Sequence, residues 1–197
     1  MVSVVIFDAF GTLIPKARRR INPYSRLVVG GDSGKSARRP FLTRNVAIDV
    51  FAEELGLAYL VPLLRREIQQ EISELTLYAD VELTFAALRG AGYRIAICSN
   101  LAFEYCAAVR AMLPTVDEFV FSCEVGAAKP EREIYMEACA RMSCRPRDGL
   151  FVGDSKRADV EGPEAFGMSA RLIDRGSGQS LSRVVFDALG IAIPRKT

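Results

Sequence analysis

The chain has 197 residues, half of them apolar and a quarter charged, with a formal net charge of +2. That length holds one compact domain with an insertion, and that balance excludes a disordered chain. There is no histidine, which excludes Ser/His/Asp and Cys/His nucleophile pairs and histidine-bearing zinc sites, so carboxylates, lysines and hydroxyls must carry any chemistry.

Short apolar runs bounded by polar residues or glycine recur along the chain, at residues 2–7, 93–98, 119–121, 150–152 and 170–173. Each predicts a buried strand. The first is followed by a long insertion, residues 15–78, whose opening part is basic and rich in glycine and reads as a loop. Its later part, residues 42–56 and 60–75, reads as a helical pair. Val81, Phe85 and Leu88 then have helical spacing behind Asp80 as a cap, closing at Gly90. Pro130 suits the first turn of a further helix through Ile134 and Ala138. Strands alternating with helices predict an α/β fold, a doubly wound parallel sheet with right-handed crossovers.

Charge is uneven along the chain. Lys16, Arg18, Arg19, Arg20, Arg26, Lys35, Arg38, Arg39 and Arg44 face one acid, Asp32, between Pro15 and Asn45, a local net of +8 that leaves −6 elsewhere. Such a block serves as a solvated loop, an anion-steering arm or a nucleic-acid patch, and without interleaved aromatics it makes a poor nucleic-acid footprint. Gly30-Gly31-Asp32-Ser33-Gly34-Lys35-Ser36 imitates a phosphate loop, but that pattern requires glycine at position 29, where the chain has Val29. Arg38-Arg39-Pro40 would also interrupt the helix that such a loop needs. The segment is expected to be a basic loop.

Cys98, Cys106, Cys123, Cys139 and Cys144 show no CxxC spacing, as expected of a reducing compartment. The longest apolar run, from Leu57 to Leu64, is too short to span a bilayer, and Asp8 falls where a signal peptide needs apolar residues. The expectation is a cytoplasmic protein with no membrane partner.

In doubly wound sheets ligands bind beyond the carboxyl ends of the strands. The residues standing there are Asp8, Ser99-Asn100, Ser122 to Glu124, Gly153-Asp154 and Asp174. Polar residues end many strands as caps and turns, so none of these is informative alone.

Taken in order they are. Val4-Val5-Ile6-Phe7-Asp8-Ala9-Phe10-Gly11-Thr12-Leu13 resembles the first motif of the haloacid dehalogenase superfamily. Ser99-Asn100 resembles its second motif, Lys129-Pro130 with Ile134-Tyr135 its third, and Gly153-Asp154-Ser155 with Asp159, Gly162 and Gly167-Met168 its fourth. The resemblance implies a Rossmann-like core of residues 1–14 and 79–197, with 15–78 as a small, mostly helical cap. It implies Asp8 as nucleophile, Ser99 and Lys129 as catalytic partners, and Gly11, Thr12 and Asn100 at the substrate. Asp8, Asp154 and the Phe10 main-chain carbonyl would hold Mg²⁺, with Asp159 in a secondary role, capping or pairing with Lys129. The chemistry is coherent: an aspartate forms a covalent ester that water hydrolyses, and a lysine neutralises the charge that builds up.

One position departs from the pattern. Phosphatases of this family carry a second aspartate two residues after the nucleophile, where this chain has Phe10. Dehalogenases resemble this chain there, because halide leaves without a proton. They carry a neutral arrangement at the position of Asp154, however, and an uncompensated carboxylate beside Asp8 would blunt the nucleophile. The expected function is therefore a Mg²⁺-dependent phosphatase-like hydrolase acting on a small anionic substrate. The alternatives are a metal-independent 2-haloacid dehalogenase and a catalytically weak binding protein.

Overall fold

The computed structural model describes residues 2–16, 22–28 and 35–191, with the backbone alone at 35–37. Its centre is a parallel sheet of β1 (Val4–Phe7), β2 (Arg94–Ser99), β3 (Glu118–Phe121), β4 (Gly149–Gly153) and β5 (Ser169–Leu172), in the order β3-β2-β1-β4-β5. All five strands stand where the apolar runs predict them, within a residue or two. The chain winds outward from β1 through β2 to β3, then crosses back to β4 on the other side of β1. The direction of winding thus reverses at β1 and β4, and the crevice at such a reversal is where open α/β sheets bind ligands. Phe7 pairs with both Ile97 and Val152, so Asp8, the end of β2 and Gly153 reach the same edge together.

Side chains alternate across the sheet and divide the core in two. Val5, Phe7, Ile95, Ile97 and Val152 pack beneath α4 (Val81–Gly90), α5 (Phe103–Met112) and α9 (Leu181–Leu189). Val4, Ile6, Ala96, Cys98 and Phe151 pack against α7 (Arg132–Arg141) on the opposite face. The short α6 (Ser122–Val125) follows β3, and α8 (Gly162–Phe166) precedes β5. The inner strands β1, β2 and β4, buried on both faces, read as continuous apolar runs, whereas the edge strands β3 and β5 are only partly buried.

The insertion contains α1 (Lys35–Thr43), α2 (Ile48–Glu54) and α3 (Val61–Ser73), with a 3₁₀ turn at Pro23–Leu27. The helical pair is as predicted. The segment expected to be a basic loop instead becomes α1, which runs through Pro40. A proline there removes one helical hydrogen bond, and the compensation is tertiary. Phe41 buries its ring 5.3 Å from Tyr24 and 5.0 Å from Phe51, centroid to centroid, and Arg39 forms two bonds to Glu131, at 2.7 and 2.8 Å. Arg18, Arg19, Arg20, the glycine-rich stretch 30–34 and the side chain of Lys35 lie outside the described residues.

Two predicted helix starts are corrected. The α7 helix begins at Arg132 with Glu131 in the capping position, so Pro130 lies in the turn before it, after a cis Lys129–Pro130 bond. Asp80 does stand at the N-cap of α4, but its side chain makes no capping bond. It accepts two hydrogen bonds from Arg175, at 2.7 and 2.9 Å, and one from the Leu181 amide at 2.7 Å. Arg175, stacked on Tyr78, also donates twice to the Thr12 carbonyl, at 3.0 and 2.8 Å. This clamp ties the loop after β1 to the C-terminal helix.

Burial alone would push the Asp80 carboxyl up, but Arg175 and the Leu181 amide outweigh it and hold the group below its ordinary value. A carboxyl lowered on folding stabilises the protein above its unfolded pKa of about 3.9, and that stabilisation is lost as pH falls through the folded value. Asp80→Asn should cost about 1.5–3 kcal/mol at neutral pH, the range for hydrogen bonds to a charged group. In thermal melts from pH 7 to 3, the difference from wild type should shrink as the medium becomes acid. A constant difference would mean that shape, not charge, carries the clamp.

Candidate active site

At the carboxyl edge of β1 the chain turns abruptly. The amides of Leu13 and Ile14 both donate to the Ala9 carbonyl, at 2.8 and 2.9 Å, and the Gly11 amide donates to Ile14 at 2.6 Å. Gly11 has φ +90°, and an added Cβ would lie 2.6 Å from Asp154 Cγ, so both backbone shape and the approach of Asp154 require glycine. Gly153 is similarly constrained, since a Cβ there would lie 2.5 Å from that of Asp159. The glycines of the first and fourth motifs thus make room for two carboxylates.

Asp8 stands at the centre, almost fully buried. Ser99 Oγ donates to its Oδ1 at 2.9 Å and Lys129 Nζ to the same oxygen at 2.7 Å. Lys129 also donates to Asp159 Oδ1 at 2.6 Å, and the Ser155 amide holds Asp159 Oδ2 at 2.9 Å. The Lys129 side chain is 2% exposed. Burial alone would pull its ammonium down, but the carboxylates of Asp8 and Asp159 outweigh that and raise it, so it stays charged at physiological pH. Asp159 is pushed up by its own burial, against the pull of Lys129.

Carboxylate oxygens of Asp8, Asp154 and Asp159 lie within 4.8 Å of one another. Asp154, with a side chain 21% exposed, is the outermost of the three and pairs with Lys16. Three hard oxygen donors around one point, one of them open to water, suit Mg²⁺, which takes oxygen ligands and keeps several waters. The residues present therefore fit that ion.

The remaining sequence candidates divide. Thr12 Oγ1 is buried with no hydrogen-bond partner among the described residues, a polar atom left for something else to satisfy. Asn100, expected at the substrate, spends both ends of its amide on the main chain of Lys129, at 2.9 and 2.7 Å, and so sets the lysine's position. Ser122 binds the Leu101 amide, Glu124 pairs with Arg110, and exposed Asp174 caps the turn at Arg175–Ser177, so these three strand-end residues have structural partners. The Phe10 ring meets Tyr105 edge-on at 6.1 Å. The main-chain amides of Ala9 and Phe10 donate to no described backbone carbonyl, whereas those of Gly11 and Thr12 do. Which amides remain free depends on the turn's internal bonds, which no residue pattern displays. Lys16 was visible only as one member of a basic block.

The parallel sheet thus presents a buried aspartate at the end of its first strand, with a lysine bonded to it and further carboxylates beside it, an arrangement chemically able to offer a carboxylate to an electrophile. The model of the haloacid dehalogenase-like hydrolase family matches residues 2–167, and the chain belongs to that family. It is 33% identical over 132 residues to (S)-2-haloacid dehalogenase 1 of Pseudomonas sp. (strain CBS-3), covering 66% of this chain and 57% of that protein. It is also 33% identical over 107 residues to glyceraldehyde 3-phosphate phosphatase of Methanopyrus kandleri, covering 53% of this chain and 46% of that one. The chain thus matches about half the length of these curated relatives. In fold it resembles a HAD phosphatase from Thermococcus onnurineus, with a TM-score of 0.65 and 22% identity over 96% of this chain and 98% of that one. It also resembles a HAD family enzyme of Bacteroides thetaiotaomicron solved with magnesium and inorganic phosphate, with a TM-score of 0.69 and 16% identity over 93% of this chain and 98% of that one. Among the described residues no helix is long and apolar enough to cross a membrane.

Proposed function

We propose that the chain is a Mg²⁺-dependent phosphatase-like hydrolase of small anionic phosphate esters, with Asp8 as its nucleophile and residues 15–78 as a cap over a core of 1–14 and 79–197. The observation that carries this reading is the carboxylate of Asp154 beside Asp8 and Asp159. An acidic group there makes sense opposite a cation, and left uncompensated it works against the nucleophile. The phosphatase relative and the fold neighbour holding magnesium and phosphate support it.

Asp8, Asp154 and the Phe10 carbonyl would hold the ion. When bound it supplies positive charge against the oxygens of the transferring group. The chain's own residues do the rest. Ser99 and Lys129 converge on Asp8 Oδ1 and fix the carboxylate's orientation. A carboxylate oxygen of Asp8 attacks phosphorus, the bond to the leaving oxygen breaks, and Lys129 with the amides of Ala9 and Phe10, which donate to no described backbone carbonyl, balances the growing charge. Asp159 holds Lys129 in place, and water then hydrolyses the phosphoaspartate.

Phe10 favours a second reading, a dehalogenase in which the same Asp8 displaces halide from carbon, and the Pseudomonas relative supports it. Mg²⁺ separates the two. At ten times its Kd the ion should add about 1.4 kcal/mol by linkage, which for a chain of this size raises Tm by about 3–6 °C. Asp154→Asn should abolish most of that rise, and hydrolysis of an aryl phosphate should require the ion. No melting shift, together with halide release from 2-chloropropionate, would establish the dehalogenase instead.

A further inference from the structure

The three carboxylates of the site face two ammonium groups, and these are held very differently. Lys129 is enclosed and bonded to two aspartates. The Lys16 side chain is 61% exposed, and among the described residues it pairs with Asp154 Oδ2. Its stem crosses directly over the loop after β1, since a Cβ on Gly11 would lie 2.6 Å from Lys16 Cε. The outer ammonium therefore occupies the same carboxylate that the metal reading assigns to Mg²⁺.

We propose that Lys16 is a built-in competitor for the divalent ion, neutralising Asp154 while the site is metal-free and leaving when the metal binds. This rests on the Mg²⁺ reading and adds to it a residue that sets the metal's threshold. Physical differences between the two lysines make the exchange feasible. An exposed ammonium on a flexible stem, screened by water, is held weakly, whereas a buried one between two carboxylates is not readily removed. A divalent ion brings twice the charge to the same cluster and contacts more than one carboxylate at once. While Lys16 is in place, Asp154 does not repel Asp8; once it is displaced, the loop over Gly11 is uncovered.

The test is calorimetric titration of Mg²⁺ into wild type, Lys16→Met, Lys16→Arg and Asp154→Asn at low ionic strength, with melting curves recorded without metal. Exposed ion pairs have strengths that correspond to about two- to fivefold in an equilibrium constant. Lys16→Met should therefore bind Mg²⁺ about two- to fivefold more tightly and melt lower without the ion, while Lys16→Arg stays near wild type. Binding by Lys16→Met but not by wild type would support the proposal more strongly. An unchanged or weaker Kd in Lys16→Met, with binding lost in Asp154→Asn, would overturn the competitor role and leave the metal reading standing. Absence of Mg²⁺ binding in both wild type and Lys16→Met would overturn both.

Discussion

Asp8→Asn should reduce hydrolysis of any substrate by at least ~10³-fold while leaving the fold intact, because amide and carboxylate are nearly isosteric and only the carboxylate attacks. The fold should tolerate the change well. An asparagine oxygen still accepts from Ser99 and Lys129, and Lys129 keeps its 2.6 Å bond to Asp159, so no buried charge is left alone. Removing the Asp8 charge also relieves its repulsion of Asp159 in the metal-free state. Tm without Mg²⁺ should therefore be unchanged or slightly raised while turnover collapses, a combination that a merely structural Asp8 would not give. Residual activity above a tenth of wild type would remove Asp8 from the nucleophile's role.

The second large effect concerns Phe10. A positioned acid or base contributes ~10²–10⁴ in rate, and where family phosphatases carry an aspartate this chain has a ring packed edge-on against Tyr105. With an aryl phosphate the first step should still run, because a weakly basic leaving group needs no proton. Hydrolysis of the phosphoaspartate lacks a base at that position, so single-turnover kinetics should show a burst of phenol followed by slow turnover. Phe10→Asp should shrink the burst and raise steady turnover by roughly 10²-fold, most for alkyl phosphates, whose leaving groups require protonation. Losing the ring contact will cost some stability, and a melting curve must first show that the variant is folded. If a folded Phe10→Asp enzyme has unchanged rates on both ester types, either the missing acid comes from elsewhere or phosphoryl transfer is not the reaction.

These two experiments bear on different halves of one ambiguity. The dehalogenase relative and Phe10 point one way, the phosphatase relative and Asp154 the other. Under the proposal Asp8 would serve either chemistry, so its variant tests the nucleophile without choosing between them. Phe10→Asp and the Mg²⁺ response choose. A carboxylate at position 10 helps only a reaction whose leaving group or attacking water exchanges a proton, and a divalent ion helps only where anionic oxygens gather.

The inner strands of the sheet are legible in the chain alone, because β1, β2 and β4 are buried on both faces and so announce themselves as apolar runs. Asp8, Ser99 and Asp154 are legible because each stands at or just past the end of such a run, and Lys129 through the third motif. Gly11 and Gly153 were legible within their motifs, and the structure supplies the reason, the near approach of Asp154 and Asp159. Tertiary structure decided what depends on residues distant in sequence. Pro40 forecast a break in the basic segment, yet α1 continues through it because Phe41 finds Tyr24 and Phe51 and Arg39 finds Glu131. Asp80 has the composition of a helix cap, and a partner 95 residues away claims its carboxylate. Asn100 gives both ends of its amide to the main chain of Lys129, and Lys16 emerged from a run of basic residues as the cation on Asp154. Local pattern reports burial and backbone preference, which neighbours in sequence control. The pairing of a charge is settled by whichever opposite charge the fold brings within hydrogen-bonding distance, and only the packed chain specifies that.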